Sequence, residues 1–293
     1  MSLADEIFDE FGELSAAERH ETTAILVSQF ADIMRDNNKR IFSRVLDMIA
    51  ETDGDDKLHL DMLATHHETE GPDYIEAKSW DMPEITTFSD YRARTHLGDD
   101  SGICDPESES SLAYYLSDLE AAVRKNADRD LLGSLADSLQ LPAEFVEFLK
   151  HTSGVTYPNL DKSKFLCAFA TELYWADKHA KLLEQLYRFS GCSGFKVAAG
   201  WKAGDNGYGR VIYYLLCKDD EEPDEPWQWR IWVNIAYSEV SYFDCLRDFL
   251  CWYCHAYDWV DWDIVEMDID DLNKKCKEAS KRDQEQGTEE ECE

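Results

Sequence analysis

The sequence predicts an α+β protein, a mainly antiparallel sheet covered by helices and preceded by an N-terminal helical segment. Three observations predict it. Three apolar, strand-like runs follow one another within residues 194–235, joined by connections too short for a crossover helix. Apolar stripes at helical spacing flank these runs, from 112 to 149 on one side and from 241 onward on the other. A further long stripe occupies residues 15–50, ahead of an acid-rich stretch.

In chain order, Ser15 with Glu18 three residues later makes a capping-box pattern. Residues 15–50 read as helix, with Leu26, Phe30, Ile33, Ile41, Val45 and Ile49 at helical spacing and Asp36-Asn37-Asn38 as the one point open to interruption. Such a stripe needs a surface to pack on, in this chain or another, so the segment 1–50 also offers a contact for oligomerisation. Residues 51–110 are rich in acids and turn formers, and read as a partly ordered linker with anchors such as Tyr74, Ile75 and Trp80. The compact domain spans 111–264, and a charged tail covers 265–293.

Within that domain the first helix presents Leu112, Leu116, Leu119 and Val123. A second starts at Pro142, buries Phe145, Phe148 and Leu149, and stops before Gly154. A third is expected over about 170–188. Along 194–201, Phe195, Val197, Ala199 and Trp201 alternate with Lys196, Ala198 and Gly200, which predicts a half-buried strand with the first four residues on one face. The run 211–217 is apolar on both faces and suits a central strand. In 227–235, Trp227, Trp229, Ile231, Val233 and Ile235 alternate with Gln228, Arg230 and Asn234. Ser241 reads as the N-cap of a closing helix with Phe243, Leu246, Leu250 and Tyr253 on one stripe.

Leu141-Pro-Ala-Glu-Phe-Val-Glu-Phe-Leu149 with Ser153-Gly154, the turn Trp201-Lys-Ala-Gly-Asp-Asn-Gly-Tyr-Gly209, and Ser241-Tyr-Phe-Asp-Cys-Leu-Arg-Asp-Phe-Leu250 occur in an order that resembles the SUKH superfamily. That group includes fungal cell-wall synthesis regulators and bacterial toxin-immunity proteins. The resemblance covers about residues 111–260. It implies a non-enzymatic, protein-binding domain, acting in signalling or in neutralising toxins.

Charge narrows the partner class. Acidic residues number 62 against 29 basic ones, for a formal net charge of -33 over 293 residues. Such a chain repels nucleic acid and anionic membrane, and meets basic proteins quickly. The nine cysteines form no regular framework, the start Met-Ser-Leu-Ala-Asp-Glu is not a leader, and no apolar run of spanning length is present, so the thiols are expected reduced in a cytoplasmic or nuclear protein.

No catalytic set, metal site or cofactor is expected. Gly204 to Gly209 joins strand to strand and offers no helix N-terminus to a phosphate. Glu51 to Asp56 departs from the EF-hand register, and His59, His66 and His67 lack zincin spacing. Cys251-Trp-Tyr-Cys254-His255 matches C-x-x-C-H, and with Cys245 it supplies the alternative reading of a metal- or haem-binding protein. The residues expected to bind a protein are Asp219, Asp220, Glu221, Glu222, Asp224 and Glu225 on one inter-strand loop, Tyr208, and Trp232 as an exposed anchor. A solvated hairpin tip that shields a sheet edge accounts for the loop without any partner.

Overall fold

The sheet foreseen at 194–235 is present and extends at both edges. The structure, a computed structural model, describes residues 11–52, 54–57, 59–60, 87–94, 101–155, 168–170, 194–205, 211–222, 224–235 and 239–254. Expectations for residues 171–188, for Tyr74, Ile75 and Trp80, and for the 265–293 tail lie outside these. The described residues divide into two compact units, the larger holding 11–33 and 102–254, the smaller 34–101.

In the larger unit β1 (Ala168–Phe169), β2 (Phe195–Asp205), β3 (Val211–Asp219), β4 (Gln228–Ile235) and β5 (Glu239–Phe243) form one antiparallel sheet in sequence order. The central β3 buries both faces, as its unbroken apolar run requires. One face carries Trp201, Ile212, Tyr214, Leu216, Ile231 and Val233, all buried. Phe145 meets Trp201 and Tyr214 there at ring distances of 5.2 Å each, and Phe169 meets Phe249 at 4.8 Å. The opposite face carries a smaller cluster of Leu215, Cys217 and Trp232, with Phe195, Val197 and Tyr213 packed against it.

This pairing corrects the expected facing of β2. Val197 pairs with Cys217 but Ala199 pairs with Leu216, so a bulge at Ala198 puts Phe195 and Val197 on one face and Ala199 and Trp201 on the other. A second irregularity lies between Lys202 and Gly204. Both bulges free a carbonyl for long-range use: Ala198 O accepts from Asp128 N and Ala203 O from Ala170 N, each at 2.7 Å. Between them, Gly200 is compulsory, because a Cβ there would stand 2.4 Å from the Tyr214 carbonyl oxygen.

The helices dock as their patterns require. α1 (Ala16–Ala50) opens on the capping box, Ser15 N donating to Glu18 Oε2 at 2.8 Å and Glu18 N to Ser15 Oγ at 3.3 Å. It is continuous through Asp36–Asn38, in keeping with the reading of 15–50 as helix, and Asn38 is buried inside it. Leu26, Phe30 and Met34 are buried within the chain, and the Phe30 ring lies 5.9 Å from Tyr253. In the smaller unit α2 (Phe88–Arg94) buries Phe88 and Tyr91. Ser89 N and Oγ both donate to Asp56 there, Arg92 pairs with Asp47, and His59 meets Phe88 edge-on at 5.5 Å.

In the larger unit α3 (Glu109–Asn126) is capped by Ser108 and buries Leu112, Tyr115, Leu119 and Val123. α4 (Arg129–Leu132) is capped by Asp128, and a 3₁₀ segment follows at Gly133–Ser138. α5 (Ala143–Phe148) follows Pro142 and buries Phe145 and Phe148. The last helix, α6, covers residues 246–254. Its start corrects the sequence reading, since Ser241 lies in β5 and is not an N-cap. The cap comes from far away, with Leu246 N donating to Glu144 Oε2 of α5 at 2.9 Å. Among the described residues, no helix is long and apolar enough to cross a membrane.

Candidate functional site

The acidic loop is built around a buried cation. Arg230 points from β4 into the face of the sheet that holds Cys217, and only 6% of it is exposed. A buried guanidinium needs anionic partners. Its Nε donates to Asp244 Oδ1 at 2.6 Å, its Nη2 to Glu225 Oε1 at 2.5 Å and to Gln228 Oε1 at 3.3 Å, and the Phe195 ring lies 5.1 Å away. Glu225 Oε2 in turn accepts from Asp219 N at 2.7 Å. That backbone hydrogen bond, and then the Arg230 guanidinium, hold the Glu225 carboxyl below its ordinary value. Burial alone would ease the proton off Arg230, but the bonds to Asp244 and Glu225 outweigh it and leave the guanidinium more firmly charged than usual.

The six expected acids therefore separate into two groups. Glu225 turns inward and Asp219 braces the loop, accepting from Glu221 N at 2.8 Å. Asp220 lies at the surface, 3.3 Å from Lys196, and Glu221, Glu222 and Asp224 are exposed. Asp244, 64% exposed, contributes a further carboxylate from the turn between β5 and α6.

Trp232 is not an exposed anchor. Alternation correctly places it beside Arg230, but it is 4% exposed, stacked on Tyr242 at 5.3 Å and meeting Phe195 edge-on at 5.3 Å. The exposed aromatic of this face is Tyr242 on β5, 48% exposed and two residues before Asp244. Tyr208 lies outside the described residues.

The cysteine set behind the metal or haem alternative is only partly described, since His255 lies outside. Burial pushes the Cys245 and Cys254 thiols up to about 12 each, so both are protonated in the metal-free chain. Among the described residues these cysteines do not converge into a group of three or more potential ligands.

One such group does exist among the described residues, and it joins residues that sequence reasoning left aside. His20 from α1, Glu147 from α5 and His151 from the turn after it place one potential ligand atom each within 4.8 Å of one another. His20 Nδ1 is 2.8 Å from Glu147 Oε1, His151 Nε2 is 3.8 Å from the same oxygen, and Lys150 Nζ is 2.7 Å from Oε2. The two imidazoles lie 4.3 Å apart. Glu147 is buried while His20 is largely open to solvent. Burial alone would raise the Glu147 carboxyl, but hydrogen bonds from Lys150 and His20 together hold it below its ordinary value. The spacing Glu147-x-x-x-His151 is the one local signal for the cluster, and His20 lies 127 residues from Glu147.

Comparison with protein-family models, with curated proteins and with solved structures finds no match for this chain.

Proposed function

We propose that the chain is a non-enzymatic protein-interaction module, SUKH-like over residues 111–260, that binds a basic protein partner in regulation or toxin immunity. The observation that carries this reading is the surface organised by Arg230. Asp220, Glu221, Glu222, Asp224 and Asp244 present carboxylates around a buried, charge-saturated framework, and Tyr242 stands exposed beside them on a rigid aromatic stack. Aromatic anchors on preformed supports lose little entropy on binding, and a ring of like charge steers oppositely charged partners. The net charge of -33 adds long-range attraction for the same class of partner.

Quantitative affinity capture at two salt concentrations tests it, using the wild type, Tyr242→Ala, and a variant with Asp220, Glu221, Glu222 and Asp224 changed to their amides. The expected partner is basic, is recovered less at high salt, and is lost from both variants, with Tyr242→Ala weakening binding roughly tenfold. Recovery of the same proteins by all three chains at both salt concentrations would sink the proposal.

A further inference from the structure

We propose that His20, Glu147 and His151 form a binding site for a divalent transition-metal ion of the zinc type, with two imidazole nitrogens and one carboxylate oxygen as protein ligands and a solvent molecule completing the shell. The donor set points to that class. Two nitrogens and one oxygen suit borderline cations such as zinc, nickel or cobalt, whereas calcium and magnesium take oxygen ligands almost exclusively.

A simpler account treats the cluster as an ion-pair network in which His20 and Lys150 neutralise a buried Glu147. That account explains the contacts at 2.8 Å and 2.7 Å and reaches His151 only through a long ion-pair contact, which leaves the His151 Nε2 hydrogen-bonding capacity unused. The His151 side chain is 14% exposed, and its Nε2 is fully buried with no hydrogen-bond partner, 3.8 Å from Glu147 Oε1. A buried imidazole nitrogen left unpaired is costly, and a cation shared with the adjacent carboxylate would satisfy it.

The spacing is compatible with closure. Metal–ligand distances of about 2.0–2.2 Å bring tetrahedral ligand atoms to roughly 3.3–3.6 Å from one another. The donors already lie within 4.8 Å, and the ligand that must adjust most readily is His20, whose side chain is 58% exposed. Lys150 holds Oε2 and leaves Oε1 facing both imidazoles, which is how an outer partner orients a ligating carboxylate. The exposed side of His20 gives a cation its way in and leaves the remaining coordination position to water.

The functional consequence is a clip. His20 lies near the start of α1, and Glu147 and His151 lie at the end of α5 and just beyond it. A bound ion would tie α1 to the helix that also supplies Phe145 to the main core and Glu144 to the cap of α6.

Zinc titration of the reduced, full-length protein against a chromogenic chelator tests the site, with His20→Ala and His151→Gln as variants. Sites elsewhere on this acidic, cysteine-containing chain are common to all three proteins, so the difference between titrations reads this cluster alone. His20→Ala removes a hydrogen-bond partner of the buried Glu147, so the metal-free variant is expected to melt somewhat below the wild type, and the zinc-induced shift is read against each protein's own metal-free melting temperature. The expected result is one zinc equivalent whose affinity falls about 100-fold in each variant, together with a zinc-induced rise in the wild-type melting temperature that both variants lose. Cobalt bound at this site should give visible d–d bands without a sulfur-to-cobalt charge-transfer band. Superimposable titrations, or cobalt spectra dominated by sulfur ligation and unchanged by His20→Ala, would overturn the proposal.

Discussion

Glu144 sits on α5 with its carboxyl at the first turn of α6, where Oε2 accepts from Leu246 N at 2.9 Å. Desolvation raises its proton affinity, and the Leu246 amide and neighbouring Tyr214 hydroxyl oppose this while the Asp248 carboxylate adds to it. The balance carries Glu144 from 4.5 up to about 7. Cys245, a further titratable group near it, remains a thiol over the same range because its own proton is held up to about 12, and the Tyr214 hydroxyl stays protonated because burial holds it well above its ordinary value. An acid raised in the folded state favours folding fully below its unfolded value, and that contribution is lost as pH rises through the folded value. The window is therefore 4.5 to about 7, with stability falling as pH increases. At about 1.4 kcal/mol per pH unit between the two values, the loss approaches about 3 kcal/mol. Glu144→Gln keeps an acceptor for Leu246 N and removes the titration. Denaturant unfolding at several pH values should show the wild type losing stability across this window by about 2–3 kcal/mol more than the variant. Parallel pH profiles for the two proteins would show that Glu144 titrates as an ordinary surface acid.

At the scale of elements, Arg230 ties three pieces together: the loop after β3 through Glu225, its own strand, and the turn before α6 through Asp244. The two carboxylates should contribute unequally. Glu225 is 13% exposed and shares a second bond with Asp219 N, whereas Asp244 is 64% exposed. Glu225→Gln should cost about 2–3 kcal/mol and speed amide exchange along residues 219–226, while Asp244→Asn should cost about 1 kcal/mol or less. Equal, small costs in denaturant unfolding would show that the network behaves as a surface ion pair. This clamp also marks where sequence legibility stopped. Period-two alternation correctly places Trp232 with Gln228 and Arg230, but a polar face is not always a solvated one, and Arg230 is buried beneath anions brought from the loop before β4 and the turn after β5. The facing of β2 failed at Ala198 because a bulge is set by what its partner strand and Asp128 require, which no local pattern encodes. Ser241 fits a helix cap as well as a strand, and only its pairing with Val233 in β5 decides between them. By contrast α1, α3, α5 and the central β3 were legible, because each buries a face whose period is written in consecutive residues. The cluster of His20, Glu147 and His151 was invisible for the opposite reason, being assembled across 127 residues.

For the whole chain, the dominant physical fact is an excess of 62 acidic over 29 basic residues. Two effects of salt on stability then compete. Screening weakens exposed ion pairs such as Arg129–Asp137 and Lys196–Asp220, each worth about 0–1 kcal/mol. It also relieves repulsion among the carboxylates that have no cation to meet, a term that grows with the square of net charge while the ion pairs grow only with their number. With a formal net charge of -33, repulsion should win. The melting temperature is therefore expected to rise steadily with sodium chloride up to concentrations where the Debye length falls to about 3 Å, by about 2–4 °C for each kcal/mol of repulsion relieved. The same screening should weaken capture of a basic partner, so stability and binding are predicted to move in opposite directions along one salt series. Calorimetry and partner affinity measured on matched samples test both signs together. A melting temperature that falls with salt would mean that local ion pairs outweigh the net field, and would remove the long-range steering on which the proposed interaction depends.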